Sequence, residues 1–258
     1  MRRETSPVGV YIHIPFCRTR CPYCDFVSNA IPDRIPPAFI KRLREEINTY
    51  RGPRHAVSVF IGGGTPSLLA LNDLEAILAS LAKVFVFDNP EITIEANPDD
   101  INAALIHGWQ LCGINRVSLG VQSFNDAALR YLGRRHDAAK AIRAAESIAQ
   151  SFPNWNMDLI FGVPAHAAWT DTIQTALRFN PPHIATYSLT YEATTPFGKR
   201  AAEALDDDVV LAQYKEAASF LAAYNHYEIS NFALSGFQCR HNLIYWRNEA
   251  YVGFGPGA

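Results

Sequence analysis

The chain of 258 residues is 48% hydrophobic and carries 23 basic against 25 acidic side chains, a formal charge of −2. That length suits one large α/β domain or two small ones with a sizeable core, and the balanced charge offers no basic surface for nucleic acid. No apolar run reaches membrane-spanning length, residues 1–7 lack the apolar centre of a signal peptide, and five unevenly spaced cysteines do not read as a disulfide framework; the last two points favour a reducing cytoplasm.

Short β-branched runs alternate with helical patterns, which predicts parallel strands joined by crossover helices. Strands are expected over 8–14, 57–61, 91–96, 116–121, 156–161 and 183–189, with a seventh extended run over 227–231. Helices are expected over 38–50, where Phe39, Leu43 and Ile47 recur at helical spacing, then over 71–84 with Asn72 as cap, 101–108, 126–132, 138–151, 169–179 and 206–223. A proline-rich link, 31–37, precedes the first helix. The final Val252-Gly253-Phe254-Gly255-Pro256-Gly257-Ala258 reads as the middle of a segment, so 1–225 is expected to be the core and 226–258 the beginning of a C-terminal region that is cut short.

The polar motifs fall just beyond the strands, where ligands bind in barrels and in doubly wound sheets alike. Cys17, Cys21 and Cys24, spaced C-x3-C-x2-C, follow the first strand after Pro15. Three thiolates on one loop can hold a [4Fe–4S] cluster with one iron left open, or supply a zinc site completed from elsewhere; Cys112 and Cys239 are isolated. Gly62-Gly63-Gly64-Thr65-Pro66 allows close backbone approach to a ligand, or simply a tight turn. Glu95 ends the third strand, as an acceptor for a ligand's hydroxyls or a solvated loop charge. Gln122 and Arg134 lie twelve apart, and an arginine suits a carboxylate, although it also suits an exposed helix end. Asp158 interrupts an apolar strand and needs a partner if it points inward. His241 opens His241-Asn242-Leu243-Ile244-Tyr245-Trp246, where an imidazole among aromatics suits a heme iron or plain packing.

With Tyr23 before the last cysteine, the loop resembles the C-x3-C-x-aromatic-C signature of the radical S-adenosylmethionine (SAM) superfamily. Its flanks, Y-I-H-I-P-F-C and C-D-F, resemble the coproporphyrinogen III oxidase-like branch and its heme chaperones, and the likeness runs from about Val8 to the last residue. The resemblance implies a partial (β/α)6 barrel with parallel strands followed by the start of a C-terminal extension, a [4Fe–4S] cluster on the three cysteines, and SAM on its open iron. It implies that Tyr11, Gly63 and Glu95 contact the cluster-bound SAM, and that Tyr23, Gly64, Thr65, Gln122, Arg134 and Asp158 contact a second one. Thr65 stands where the family's GGE-type motif has an acidic residue, which leaves main-chain carbonyls to accept from the SAM ammonium. The H-N-x-x-Y-W element resembles that of heme-chaperone members and implies His241 as a heme ligand.

The implied function is an iron–sulfur and SAM-binding chaperone that binds heme and delivers it to a target protein. An electron donor such as flavodoxin or ferredoxin is implied, with membrane contact only through the target. The radical SAM core suggests reductive SAM cleavage. The alternative is the oxygen-independent coproporphyrinogen III oxidase, whose members carry a further cysteine two places after the third and a long N-terminal extension. Here Phe26 holds that position and nine residues precede Val10, so the oxidase activity is not expected. A barrel with a wholly different substrate is the third reading, since such cores host many reactions.

Overall fold

The structure is a computed structural model that describes residues 7–31, 34–164 and 169–258. Residues 1–6 of the polar start and 32–33 of the proline-rich link lie outside the described residues.

Six strands pair in parallel in chain order: β1 (Val8–Ile14), β2 (His55–Gly63), β3 (Val86–Ala96), β4 (Arg116–Gln122), β5 (Trp155–Phe161) and β6 (His183–Ser188). The crossovers carry α1 (Pro37–Thr49), α2 (Leu71–Val84), α3 (Ala103–Leu111), α4 (Asp126–Tyr131), α5 (Ala138–Ser151) and α6 (Trp169–Leu177); α7 (Asp207–Phe220) follows β6. These are the six strand–helix units expected. Beyond them, β7 (Asn225–His226) and β8 (Asn231–Ala233) extend the sheet antiparallel, with β8 between β6 and β7. Helix α8 (Arg240–Trp246) leads to β9 (Tyr251–Phe254), which pairs in parallel with β1. The nine-stranded sheet therefore runs β9-β1-β2-β3-β4-β5-β6-β8-β7 and stays open, a partial barrel.

The period-2 alternation of a strand explains how one sheet builds both a core and a site. Val10, Ile12, Val59, Ile61, Ile94, Val117, Leu119, Met157 and Leu159 are fully buried in one apolar cluster with the inner faces of the helices, such as Leu43 and Ile47 of α1 and Leu74 and Ile77 of α2. The alternate positions carry Tyr11, Glu95, Arg116, Ser118, Asn156 and His183, which line the inside of the barrel. Among the described residues no helix is long and apolar enough to cross a membrane.

Three sequence expectations shift. Helix α2 is preceded by Ala70, which makes no side-chain cap, and Asn72 lies within the helix. Its first residue, Leu71, packs against Gly108 of α3, where any side chain would collide with it. Helix α3 starts later than 101 because Asn102 caps it, accepting from the Leu105 N–H at 2.9 Å. The extended run over 227–231 is mostly the turn between β7 and β8, where the chain must reverse.

Candidate functional site

The cysteine loop leaves the carboxyl end of β1. Its base is closed by a small parallel pair, Phe16–Cys17 with Asn29–Ala30, and within it the Cys24 N–H donates to the Cys21 carbonyl at 3.1 Å. Cys17 is buried and Cys21 and Cys24 half-buried, all as free thiols. Burial pushes the Cys17 thiol up, opposed by hydrogen bonds from Thr65 and Ser28. Burial likewise raises Cys24, with Cys21 and Cys17 adding to the rise. The sulfurs are thus close enough to influence one another. Among the described residues, however, no three His, Cys, Asp or Glu side chains are gathered so as to hold a single metal ion.

The glycine turn at the end of β2 packs directly under this loop. Gly64 N–H donates to Ile14 O and Thr65 N–H to Phe16 O, both at 2.8 Å. Gly63 has φ +111°, and a Cβ there would sit 2.7 Å from the His13 ring. A Cβ on Gly64 would lie 2.6 Å from the Phe16 carbonyl oxygen, which is backbone and cannot swing aside. Gly64→Ala is therefore expected to cost about 1–3 kcal/mol, read as a lower urea midpoint at unchanged slope; an unchanged midpoint would mean that the loop yields freely.

Glu95, near the tip of β3, accepts from Gly63 N–H at 3.0 Å. Burial, then the Asp158 carboxyl, push its pKa up to about 8, against the opposing pull of Gly63 N–H and Arg116. Asp158 points inward and has the partners it needs, Ser118 Oγ at 3.1 Å and Asn156 Nδ2 at 2.7 Å. Burial still outweighs them and raises its pKa. His13 of β1 faces the Val27 carbonyl, which can only accept, so its Nε2 donates there at 2.8 Å; Nδ1 then accepts from Tyr11 Oη at 3.0 Å.

Gln122 has φ +66° and follows a register slip between β4 and β5, a bulge that re-aims its side chain. Arg134 turns inward while Arg135 is exposed. Its guanidinium donates to Gly120 O at 2.9 Å, to Asn97 Oδ1, and to Cys21 Sγ at 3.5 Å.

Two depressions open at this end of the barrel. One, of about 380 Å³, is lined by Tyr11, His13, Phe26, Gly63 and Glu95. The other, of about 370 Å³, is lined by Tyr23, Cys24, Phe26, Glu95, Gln122 and Tyr187. Glu95 is common to both. Gly64 and Thr65 lie beneath the cysteine loop, Arg134 braces it from the side, and Asp158 is held deeper, by Ser118 and Asn156. The residues that orient these groups, His13, Asn97, Ser118 and Asn156, were not singled out from the sequence. Their signal is present in it: polar side chains at alternate positions of apolar strands, all in the phase of Tyr11 and Glu95.

His241 lies elsewhere. Helix α8 sits inside the barrel against the starts of β1 and β2, where Gly9 leaves it room; a Cβ there would be 2.7 Å from Ile244 and 3.2 Å from His241 Nδ1. His241 is 2% exposed, stacked on Phe60 at 5.4 Å, with Nδ1 bonded to Ser58 Oγ and Nε2 to Tyr245 Oη, each at 2.9 Å. Burial, then Arg116, pull its pKa down to about 4. This placement does not suit the heme ligation expected of it: both ring nitrogens are engaged, and the adjoining cavity of about 150 Å³ is too small for a macrocycle. Nearby Cys239 is buried, its Sγ 3.5 Å from Glu91 Oε1 and its thiol pushed up to about 12, chiefly by burial.

Three unpaired thiols on one loop, an arginine against one of them and open space beside them are a donor set that fits a sulfur-ligated cluster. The sequence pattern of the radical SAM superfamily matches residues 11–173. The chain is 39% identical to the heme chaperone HemW of Haemophilus influenzae and 39% identical to that of Escherichia coli, in each case across 99% of this chain and 70% of the relative. In fold it is similar to Escherichia coli coproporphyrinogen III oxidase (HemN), described as a radical SAM enzyme, with a TM-score of 0.85 at 23% identity. That likeness covers 98% of this chain and 64% of the oxidase chain, and at that identity it speaks for the fold alone.

Proposed function

Because the chain belongs to the radical SAM superfamily and, within it, to the HemW group of heme chaperones, we propose that it is an iron–sulfur and SAM-binding protein that takes up heme and passes it to a target protein. In this reading Cys17, Cys21 and Cys24 hold a [4Fe–4S] cluster, which when bound supplies an electron to the SAM sulfonium. Tyr11, Gly63 and Glu95 face the SAM on the open iron; Tyr23, Gly64, Thr65, Gln122, Arg134 and Asp158 face a second. The described residues up to 225 carry the six parallel strands of the working barrel, and β8, α8 and β9 complete the same sheet and its interior. The protein acts in the cytoplasm with a flavodoxin- or ferredoxin-like electron donor, and meets membranes through its target alone.

One observation carries this reading. The cysteine loop is hydrogen-bonded to the glycine turn, and that turn's own amide binds Glu95, so three motifs distant in sequence meet at one end of the barrel. The alternative, coproporphyrinogen III oxidation, is disfavoured by Phe26, which is 60% exposed and lines both depressions where resembling oxidases have a cysteine.

Anaerobic reconstitution is expected to load iron and sulfide onto the parent protein. A variant combining Cys17→Ala, Cys21→Ala and Cys24→Ala is expected to retain essentially none; a cluster surviving there overturns the ligand assignment. SAM should alter the electron paramagnetic resonance spectrum of the reduced cluster, and hemin should give a Soret band. Incubation with coproporphyrinogen III, reductant and SAM is expected to yield no protoporphyrinogen IX, and its appearance would move the reading to the oxidase.

A further inference from the structure

Below the two depressions, the barrel interior holds a cavity of about 150 Å³ walled by Arg116, Ser118, Asn156, His183, Cys239 and His241, among others. Arg116 is 2% exposed, yet its Nε has no hydrogen-bond partner among the described residues. A guanidinium keeps its proton throughout the physiological range, and a buried charged donor left open is rarely tolerated. No carboxylate forms an ion pair with Arg116 among the described residues. Glu91 and Asp158 act on it through space: Glu91 is engaged with the start of α8 and accepts from Arg240 N–H at 2.9 Å, and Asp158 accepts from Ser118 and Asn156.

The rest of the wall adds little charge. Burial, then Arg116, push the pKa of His183 well down and that of His241 to about 4. Glu95, at the upper mouth, is pushed up to about 8. The lining therefore carries one guanidinium, and the carboxylates within its field, Glu91 and Asp158, are hydrogen-bonded to other partners. A single water needs only ~10–15 Å³, so the space admits an anion of several heavy atoms. Tyr11, Glu95 and Tyr187 line both this cavity and the depressions above it, which gives a path between them.

We propose that this cavity is an anion site in which Arg116 binds a carboxylate, either a free small acid or the acid arm of a ligand lying in the depressions above. The guanidinium fork matches a carboxylate edge, and the bound acid closes the open Nε–H.

The test is thermal unfolding of the intact protein at constant ionic strength and pH 7, with acetate, its neutral isostere acetamide, and hexanoate. Acetate or hexanoate is expected to raise the melting temperature saturably, and acetamide is not. Preference for acetate identifies a free small acid; preference for hexanoate identifies the arm of a larger ligand. Arg116→Met should weaken the apparent affinity by at least about tenfold, the loss expected of one charge-assisted contact. Cys239→Met adds bulk to the cavity wall while leaving the Arg116 guanidinium in place and should give the same loss, so it carries the test if the arginine variant does not fold. Equal responses to acetate and acetamide, no response to either acid, or an acid response that survives in Cys239→Met overturns the proposal.

Discussion

Glu95→Gln is expected to stabilise the ligand-free protein by about 2–4 kcal/mol at pH 9 and by almost nothing at pH 5. The sign follows from the direction of the shift. The unfolded carboxyl ionises near 4.5 and the folded one only near 8, so the folded state holds the proton more tightly. The stability from this group is complete below pH 4.5, drains away as pH rises toward 8, and is flat above it. Glutamine keeps an acceptor for Gly63 N–H but cannot ionise. Because Asp158 lies within the same field and titrates with Glu95, the measured quantity is the difference between variant and parent rather than either curve alone. Urea unfolding at pH 5, 7 and 9 checks it; parallel curves for the two proteins would show that Glu95 is not held protonated. In the reading proposed above, the same substitution removes an acceptor for SAM, so the more stable protein should be the one that binds SAM less well.

His241→Ala is expected to cost about 2–4 kcal/mol and to leave the hemin Soret titration unchanged. The cost has two sources. A buried ring is removed from its stack against Tyr11 and Phe60, and the Ser58 and Tyr245 hydroxyls lose their partner. The pH dependence gives a second readout. With a folded pKa near 4 against the usual 6.5, the neutral ring contributes stability above pH 6.5 that is lost as pH falls toward 4, so the gap between parent and variant should narrow over that window. A weakened Soret titration with no loss of stability would restore His241 as an iron ligand and require α8 to leave the barrel.

The parallel core was legible in the sequence because each strand ends in a feature with one local cause: Pro15 after Ile14, Gly63 and Gly64 after Ile61, Asn97-Pro98 after Ala96. The site residues were legible as polar groups beyond those ends. What was not legible depends on distant partners. Nothing near Tyr251–Phe254, with a glycine inside and three more residues of turn after it, announces a strand; it becomes one because β1 offers an open edge and Phe254 finds Tyr50 and Phe85 at 5.6 and 6.2 Å. The H-N-x-x-Y-W element showed an aromatic surrounding for His241 but not its side of the wall. Only the Gly9 gap, on a strand more than two hundred positions earlier, brings α8 inside. Arg116 reads as an ordinary strand-start charge until its phase with Ser118 and Gln122 is seen to face inward.

The pairing of Gly9 with Tyr251 sets a timetable for synthesis. As the ribosome works, β1 has one flank protected by β2 early on, but its other flank must wait until nearly all the described residues have emerged. Until then its outer amide row is an adhesive rim, open to any extended peptide nearby. Closing that edge thus waits for residues 251–254, and a slow phase is expected from so long-range a pairing.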